Sequence, residues 1–292
     1  MNFKLGIIKA INRLFSLLPF WVIYLKSDFI AFILRRVIRY RRNVVEENLR
    51  NSFPEKSTQE REAIARKFYR NLSDIIVEIF KTRGMTAGEL QRRMKVVNPE
   101  LLDHYRRLGR SVIMVSGHCG NWEWYAPATA MQCPGFDHNC ALVKPLSDPV
   151  SEEFITSLRT RFMKDVLLPF KSAYRVLLSR RRDQNLTAIL ADQTPHRSEI
   201  EYHTLFLNQQ TAFFLGAEKI ARSLDHVVMF SHIRRVKRGY YEVTFELITD
   251  TPKLTRDFEI TNKHIALLEK DIIENPDNWL WSHRRWKYKI DN

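Results

Sequence analysis

Short apolar runs alternate with helical stretches from about Arg110 onwards. Four of these runs read as buried strands: Ser111 to Ser116, Cys140 to Lys144, Leu186 to Ala191 and Val227 to Ser231. Helical patterns lie between them, over 151–164, 173–182 and 212–223, and Ser172 and Thr211 stand where the last two would have N-caps. Strands that alternate with helices predict an α/β fold with a mainly parallel central sheet flanked by helices. Tyr241 to Leu247 alternates polar and apolar residues, which predicts a half-exposed edge strand.

The stretch before this pattern is helical. Residues 44–94 show apolar positions at steps of three and four, and Ser57 followed by Glu60 has the spacing of a capping box. No linker or low-complexity stretch divides the chain. We therefore predict a single α/β domain over 44–292, preceded by a separate segment over 1–43.

The segment over 1–43 is apolar and then basic. Leu14 to Leu25 is uncharged but shorter than the ~20 residues of a membrane-spanning helix. Trp21 and Tyr24 belong to the residue types that favour the headgroup boundary. Five arginines follow between Arg35 and Arg42, and they suit anionic headgroups. This pattern predicts an N-terminal helical membrane anchor; the alternative is two ordinary amphipathic helices with a solvated basic face.

The charge of the chain indicates which partners it takes. Its 292 residues include 47 Lys and Arg against 33 Asp and Glu, a formal net charge of +14. The candidate partners are therefore anionic: nucleic acid, an acidic membrane surface, or an acidic carrier protein. A hydrophobic fraction of 45% excludes intrinsic disorder. The odd number of cysteines (Cys119, Cys133 and Cys140) fits a reducing compartment better than a disulfide framework.

Reactive side chains follow the ends of three predicted strands. Gly117 to Glu123 come after the first strand, Lys144 ends the second, and Asp192 with Gln193 follows the third. In open α/β sheets, ligands bind beyond the carboxyl ends of the strands. We therefore expect a histidine, a glutamate, a lysine and an aspartate at one end of the sheet.

His118 and Glu123 are the foremost catalytic candidates. The imidazole would take a proton from an attacking hydroxyl, while the carboxylate holds the other ring N–H. The amides of Gly120 and Asn121, near a helix N-terminus, could face an oxyanion or a phosphate. The alternative is a buried histidine that a helix carboxylate caps for structural reasons.

Other kinds of chemistry find less support. His196 and His203 lack ligand spacing with any cysteine, so no metal site is predicted, and no nucleotide-binding glycine motif occurs. The run from Trp279 to Lys287 mixes aromatic and cationic residues. It could stack nucleic-acid bases, sit at a headgroup boundary, or form a final helix with its indoles inward and its arginines solvated.

Four stretches together resemble the bacterial lipid A late (secondary) acyltransferase family, also called HtrB-type. They occur in the family's order and span nearly the whole chain: Asn48-Leu49 with Ser52 to Glu55, Ser116 to Glu123, Asp192-Gln193, and Asn275 to Lys287. The resemblance implies a glycerolipid-acyltransferase-like fold. It also implies transfer of a fatty acyl chain from an acyl carrier protein thioester to a hydroxyl of a lipid A precursor. The expected place is the cytoplasmic face of the inner membrane.

The resemblance also implies roles for individual residues. His118 is the expected general base and Glu123 its charge-relay partner. Arg159 or Arg161 matches a family arginine that binds phosphate or polarises the thioester carbonyl, and Asp192 is expected to be structural or to position substrate. No cofactor is expected besides the thioester co-substrate, and no covalent acyl-enzyme is required.

This sequence departs from the family pattern at two places. No glycine lies between Asp192 and Thr211, where one often follows the Asp-Gln pair, and the N-terminal apolar run is short and interrupted. An aminolipid, glycerolipid or other glycolipid remains the alternative acceptor. A nucleic-acid-binding protein is the distant alternative, and nucleic acid is not an expected partner.

Overall fold

The computed structural model describes residues 3–163 and 167–288. The strands within this part of the chain are β1 Met94–Val96, β2 Val112–Ser116, β3 His138–Val143, β4 Leu167–Pro169, β5 Asn185–Leu190, β6 His203–Phe206, β7 Gln209–Ala212, β8 Val227–Lys237 and β9 Tyr240–Thr249. The α-helices there are α1 Phe3–Leu17, α2 Phe20–Phe32, α3 Arg42–Ser52, α4 Thr58–Lys81, α5 Ala87–Arg93, α6 Pro99–Arg107, α7 Trp122–Gln132, α8 Pro149–Arg159, α9 Phe170–Ser179, α10 Gly216–Leu224 and α11 Glu259–Glu274.

A seven-stranded sheet in the order β1-β9-β8-β2-β5-β3-β4 forms the centre of the fold. The five strands from β8 to β4 are parallel, β9 runs antiparallel to β8, and β1 is parallel to β9. β2 is buried at every residue, as a strand covered on both faces must be. The prediction of an α/β fold with a mainly parallel central sheet is confirmed.

The predicted edge strand lies elsewhere in the sheet. Tyr241 to Leu247 belongs to β9, which pairs with β8 on one side and with the short β1 on the other. β9 is therefore one strand in from the edge. Its alternation arises because one of its faces is packed and the other is more open.

The helix starts show which capping predictions hold. Ser57 and Glu60 form the predicted capping box at the start of α4. Ser172 instead lies inside α9, and Thr211 lies in β7, so neither is an N-cap. Lys164, the last residue of one predicted helix, lies outside the described residues.

The first two helices pack against α4 and leave an apolar surface uncovered. Asn12 donates to the Phe80 carbonyl at 2.8 Å, and Ser27 donates to Asp74 at 2.6 Å. We call the exposed apolar residues of this region the apolar N-terminal surface: Ile7, Ile8, Ile11, Leu14, Leu17, Trp21, Leu25, Phe29, Phe32, Val37 and Ile38. Within the described chain no individual helix has the length and apolarity to cross a membrane, although the bent pair 4–17 and 20–37 passes that test together.

A histidine between two carboxylates joins the sheet to α11. His232 on β8 lies 2.7 Å from Asp271 on α11 and 3.2 Å from Glu246 on β9. Burial lowers the pKa of His232, but the hydrogen bonds and charges of Asp271 and Glu246 outweigh this effect and raise the pKa above its ordinary value.

The raised pKa of His232 predicts a pH dependence of stability. Protonated His232 stabilises the fold fully below the unfolded-state pKa of about 6.5, and this contribution is lost as the pH rises through the higher folded-state pKa. We expect the difference in unfolding free energy between the wild type and His232→Gln to shrink as the pH rises through that window. Urea titrations at a series of pH values measure it, and a difference that does not vary with pH would contradict the assignment.

Candidate active site

The carboxyl ends of β2 and β5 bring the central pair of side chains together. The two strands are parallel neighbours, with Ser116 aligned to Leu190. The residues that follow them therefore meet, although they are far apart in the chain. His118 Nδ1 lies 2.6 Å from Asp192 Oδ1, and the His118 amide donates to Asp192 Oδ2 at 2.8 Å.

Asp192 is buried and receives a third hydrogen bond, from Trp279. Its carboxylate is 3% exposed, and Trp279 Nε1 donates to Oδ2 at 2.7 Å. Burial by itself would raise the pKa of Asp192, but the charge and hydrogen bonds of His118 and the hydrogen bond of Trp279 hold it well below its usual range. Asp192 is therefore ionised and acts as an acceptor at neutral pH.

The ionised carboxylate determines the tautomer of His118. Because Asp192 can only accept, the imidazole proton lies on Nδ1, and Nε2 carries the lone pair. The Gln193 amide donates to this Nε2 at 3.2 Å, and the Trp122 ring packs edge-on against the imidazole at 5.3 Å. Nε2 is thus the basic nitrogen, held in place by the residue beside Asp192.

Glu123 has a different partner from the one that the sequence predicted. It lies in the first turn of α7 and forms a two-pronged ion pair with Arg159 at the end of α8, with distances of 2.7 and 2.6 Å. The carboxylate that contacts His118 is that of Asp192. The predicted relay from His118 to Glu123 therefore needs correction. Glu123 is close to the histidine along the chain, but its carboxylate binds Arg159 of α8 and not the imidazole.

Gly120 and Asn121 both make structural hydrogen bonds. The Gly120 amide donates to the Asn278 carbonyl at 3.0 Å, so this amide is not available to an oxyanion in this conformation. Asn121 is the N-cap of α7: its side-chain oxygen accepts from the Trp124 amide at 3.1 Å. Its side-chain nitrogen donates to the buried Glu78 at 2.8 Å. These bonds hold the turn that carries His118.

The remaining predicted residues lie further from this pair. Arg161 donates to the Met85 carbonyl at 2.7 Å. Lys144 is exposed just after β3 and makes no hydrogen bond or ion pair with the described residues. The structure therefore brings together His118 and Asp192, and separately Glu123 and Arg159. No group of three or more metal-binding side chains occurs within 3–163 and 167–288.

The aromatic residues near the C-terminus face inward. Trp279 and Trp281 are almost fully buried, and so is Arg285, within a series of turns that follow α11. The predicted inward indoles are confirmed, whereas the final helix and a solvated Arg285 are not. Buried indoles cannot stack on bases, which counts against the nucleic-acid interpretation.

Sequence reasoning missed the contacts that support His118. Trp279 binds Asp192 from 87 residues away, and Glu78 on α4 binds Asn121 from 43 residues away. The only signals in the sequence were the Trp-Leu-Trp run and the Asp-Gln pair. Neither signal shows which side chains meet.

Gly117 has no room for a side chain. A Cβ at this position would lie 2.6 Å from Leu268 Cδ1 and 3.2 Å from Asp192 Oδ2. We expect Gly117→Ala to destabilise the fold by about 1–3 kcal/mol because of overpacking, and to lower kcat because Asp192 must move. Chemical denaturation and steady-state kinetics measure the two effects.

Gly88 offers a matched control for this substitution. A Cβ there would meet no atom within 4 Å, and the residue lies in α5. Gly88→Ala should leave the free energy of unfolding unchanged or slightly raised. Equal behaviour of the two variants would show that the contact with Asp192 does not matter.

A histidine that an aspartate orients, at the carboxyl ends of parallel strands, is an arrangement that activates a hydroxyl group by general base catalysis. The family model for bacterial lipid A biosynthesis acyltransferases matches residues 4–288, and the chain belongs to this family. The lipid A biosynthesis lauroyltransferase of Escherichia coli (strain K12) is 24% identical over 277 residues, which cover 92% of this chain and 87% of that protein. The protein is thus an acyltransferase of the lipid A biosynthesis family.

Proposed function

We propose that this protein transfers a fatty acyl chain from an acyl carrier protein thioester to a hydroxyl of a lipid A precursor. His118 is the general base and Asp192 its orienting partner in this proposal. The observation that carries it is the 2.6 Å contact between His118 Nδ1 and the buried Asp192 carboxylate, which places the lone pair on Nε2. In the reaction the acceptor hydroxyl takes the place of the Gln193 amide at this nitrogen. Membership of the family supports the lipid A acceptor.

The proposed reaction needs no covalent enzyme intermediate. As the acceptor oxygen attacks the thioester carbonyl carbon, its proton passes to His118 Nε2, and the ionised Asp192 stabilises the resulting imidazolium. The tetrahedral intermediate collapses with cleavage of the C–S bond. The departing thiolate takes the proton from His118, which gives the ester, the free thiol of the carrier and the neutral base.

The surface of the protein supports the proposal that it works at the cytoplasmic face of the inner membrane. The apolar N-terminal surface is large and solvent-exposed, and such patches mark contact sites with membranes or proteins. The arginines between Arg35 and Arg42 follow it directly and suit anionic headgroups. The net charge of +14 also favours an acidic carrier protein as donor.

A reconstituted reaction tests the proposal. Purified protein is mixed with acyl carrier protein thioesters and a lipid A precursor, and mass spectrometry detects the acceptor that has gained one acyl chain. Parallel reactions replace the donor by acyl-coenzyme A, or the acceptor by an aminolipid or a glycerolipid. Product from the carrier thioester and the lipid A precursor, abolished by His118→Ala, is the expected result. Product only from coenzyme A, or only on another lipid, would refute the donor or the acceptor respectively.

A further inference from the structure

A basic cleft, separate from the His118–Asp192 pair, lies between the N-terminal arginines and the C-terminal turns. A cleft of about 500 Å³, which we call the arginine pocket, is lined by four arginines, one glutamate and two residues at the start of α3. These lining residues are Arg39, Arg41, Arg42, Asn43, Val44, Glu46 and Arg284. Arg42 is paired with Glu46 at 2.6 Å. The other three arginines form no ion pair within the described parts of the chain, so the pocket carries a positive charge that no protein group there neutralises.

The N-terminus of α3 adds to this positive potential. Arg41 is at the N-cap position but provides no side-chain cap, and the first turn contains no acidic residue. The first amide groups of a helix lack intrahelical partners, and the helix dipole favours an anion beside them. Asn43 and Val44, from this first turn, line the cleft.

Hydrogen bonds join the pocket to the segment that holds the catalytic pair. Arg41 Nη1 donates to the Ser282 carbonyl at 2.9 Å. Thr194 Oγ1 donates to the Arg284 carbonyl at 3.2 Å, and Thr194 lies two residues after Asp192. The pocket is therefore built partly on the C-terminal turns that also bind the residues after β5.

The pocket also adjoins the apolar N-terminal surface. Val37 and Ile38, which are 61% and 62% exposed, directly precede Arg39. The guanidinium groups and the helix N-terminus of the pocket are thus preceded closely, along the chain, by exposed alkyl groups. A lipid with a phosphate on its headgroup has this combination of chemistry, because its chains follow the apolar surface while its phosphate meets the arginines.

We propose that the arginine pocket binds a phosphate group of the lipid acceptor and thereby positions its hydroxyl towards His118. This inference rests on the proposed function. A concave cleft with three unpaired guanidinium groups suits a compact tetrahedral anion, which planar guanidinium groups bind with two hydrogen bonds each. An acidic protein surface presents separated carboxylates instead of one compact anion and is the less suitable occupant.

Two pocket variants and a matched control test this site kinetically. The variants are Arg39→Gln and Arg284→Gln; the control is Arg50→Gln, which removes an exposed arginine of α3 outside the pocket. The acceptors are the phosphorylated lipid A precursor and the same glycolipid without its phosphates. Loss of a charge-assisted hydrogen bond should raise KM for the phosphorylated acceptor by roughly ten- to a hundred-fold, with kcat changed less than about twofold. The preference for the phosphorylated over the phosphate-free acceptor, as a ratio of kcat/KM, should fall by the same factor, and Arg50→Gln should match the wild type.

Vesicle flotation separates this proposal from the proposed function. Full-length His118→Ala protein, with and without Arg39→Gln and Arg284→Gln, is mixed with phosphatidylcholine vesicles that contain either glycolipid. Phosphate-dependent binding that the arginine substitutions abolish supports the pocket, even if acyl transfer is never observed. Equal binding by all variants, or an unchanged preference for phosphate, overturns it while leaving the proposed function in place. A rise in KM for the carrier thioester alone also overturns it and identifies the carrier as the occupant.

Discussion

Replacing His118 by alanine is expected to lower kcat for acyl transfer by roughly 10²- to 10⁴-fold, the usual contribution of a positioned general base. His118 is the side chain that combines a basic nitrogen with an orienting carboxylate at the carboxyl ends of β2 and β5. Its substitution leaves the hydroxyl to lose its proton to water. Single-turnover kinetics with the carrier thioester measure the loss, and circular dichroism checks that the variant is folded.

Asp192→Asn distinguishes the two carboxylates that sequence and structure associate with the histidine. An amide can donate to Nδ1, which reverses the tautomer and places the proton on Nε2; in a comparable triad this costs about 10⁴-fold in kcat. Glu123→Gln should cost much less, because Glu123 bonds Arg159 and not the imidazole. If Glu123→Gln lost as much kcat as Asp192→Asn while remaining folded, the orienting role would belong to Glu123 as the sequence predicted.

Asp74→Ala is expected to destabilise the fold by about 3–5 kcal/mol, the range for removing one partner of a buried ion pair. Asp74 on α4 is fully buried and binds Arg235 and Arg238 from the β8–β9 region, with distances of 2.5 and 2.7 Å. It also accepts a hydrogen bond from Ser27 on α2. Its removal leaves Arg235, between the N-terminal helices and the sheet, without a carboxylate partner among the described residues, while Arg238 keeps its ion pair with Asp28. Urea unfolding measures the change.

Glu153→Ala provides the comparison for Asp74. Glu153 pairs with Lys9 at 3.1 Å and its side chain is 61% exposed. Exposed pairs of this kind contribute about 0–1 kcal/mol, so the free energy of unfolding should hardly change. A similarly small effect of Asp74→Ala would mean that solvent reaches the Asp74 cluster and compensates the arginines. If the substitution only detached α1 and α2 from α4, limited proteolysis would cleave these two helices early, before the rest of the chain unfolds.

Local patterns in the sequence were enough to predict the layers of the fold. Apolar runs reveal strands that are buried on both faces, so β2 and β5 were placed to within one residue. The capping box at Ser57 is likewise a local signal, since both partners lie within one helical turn. The N-caps proposed at Ser172 and Thr211 failed because many serines and threonines have the same chemistry without a helix behind them. The short β1 has only three residues, too few for a periodic pattern, and so β9 looked like an edge.

The sequence by itself determined the helix–strand alternation, the family resemblance, and the position of His118 just after a buried strand. Only the tertiary structure decided which groups surround that histidine. Asp192 reaches it because hydrogen bonds between β2 and β5 align strand ends that lie 74 residues apart. Glu123, only five residues away, instead pairs with Arg159 at the end of α8. Periodicity reports which face of an element is buried, whereas partners are set by strand order and packing, which no spacing along the chain records.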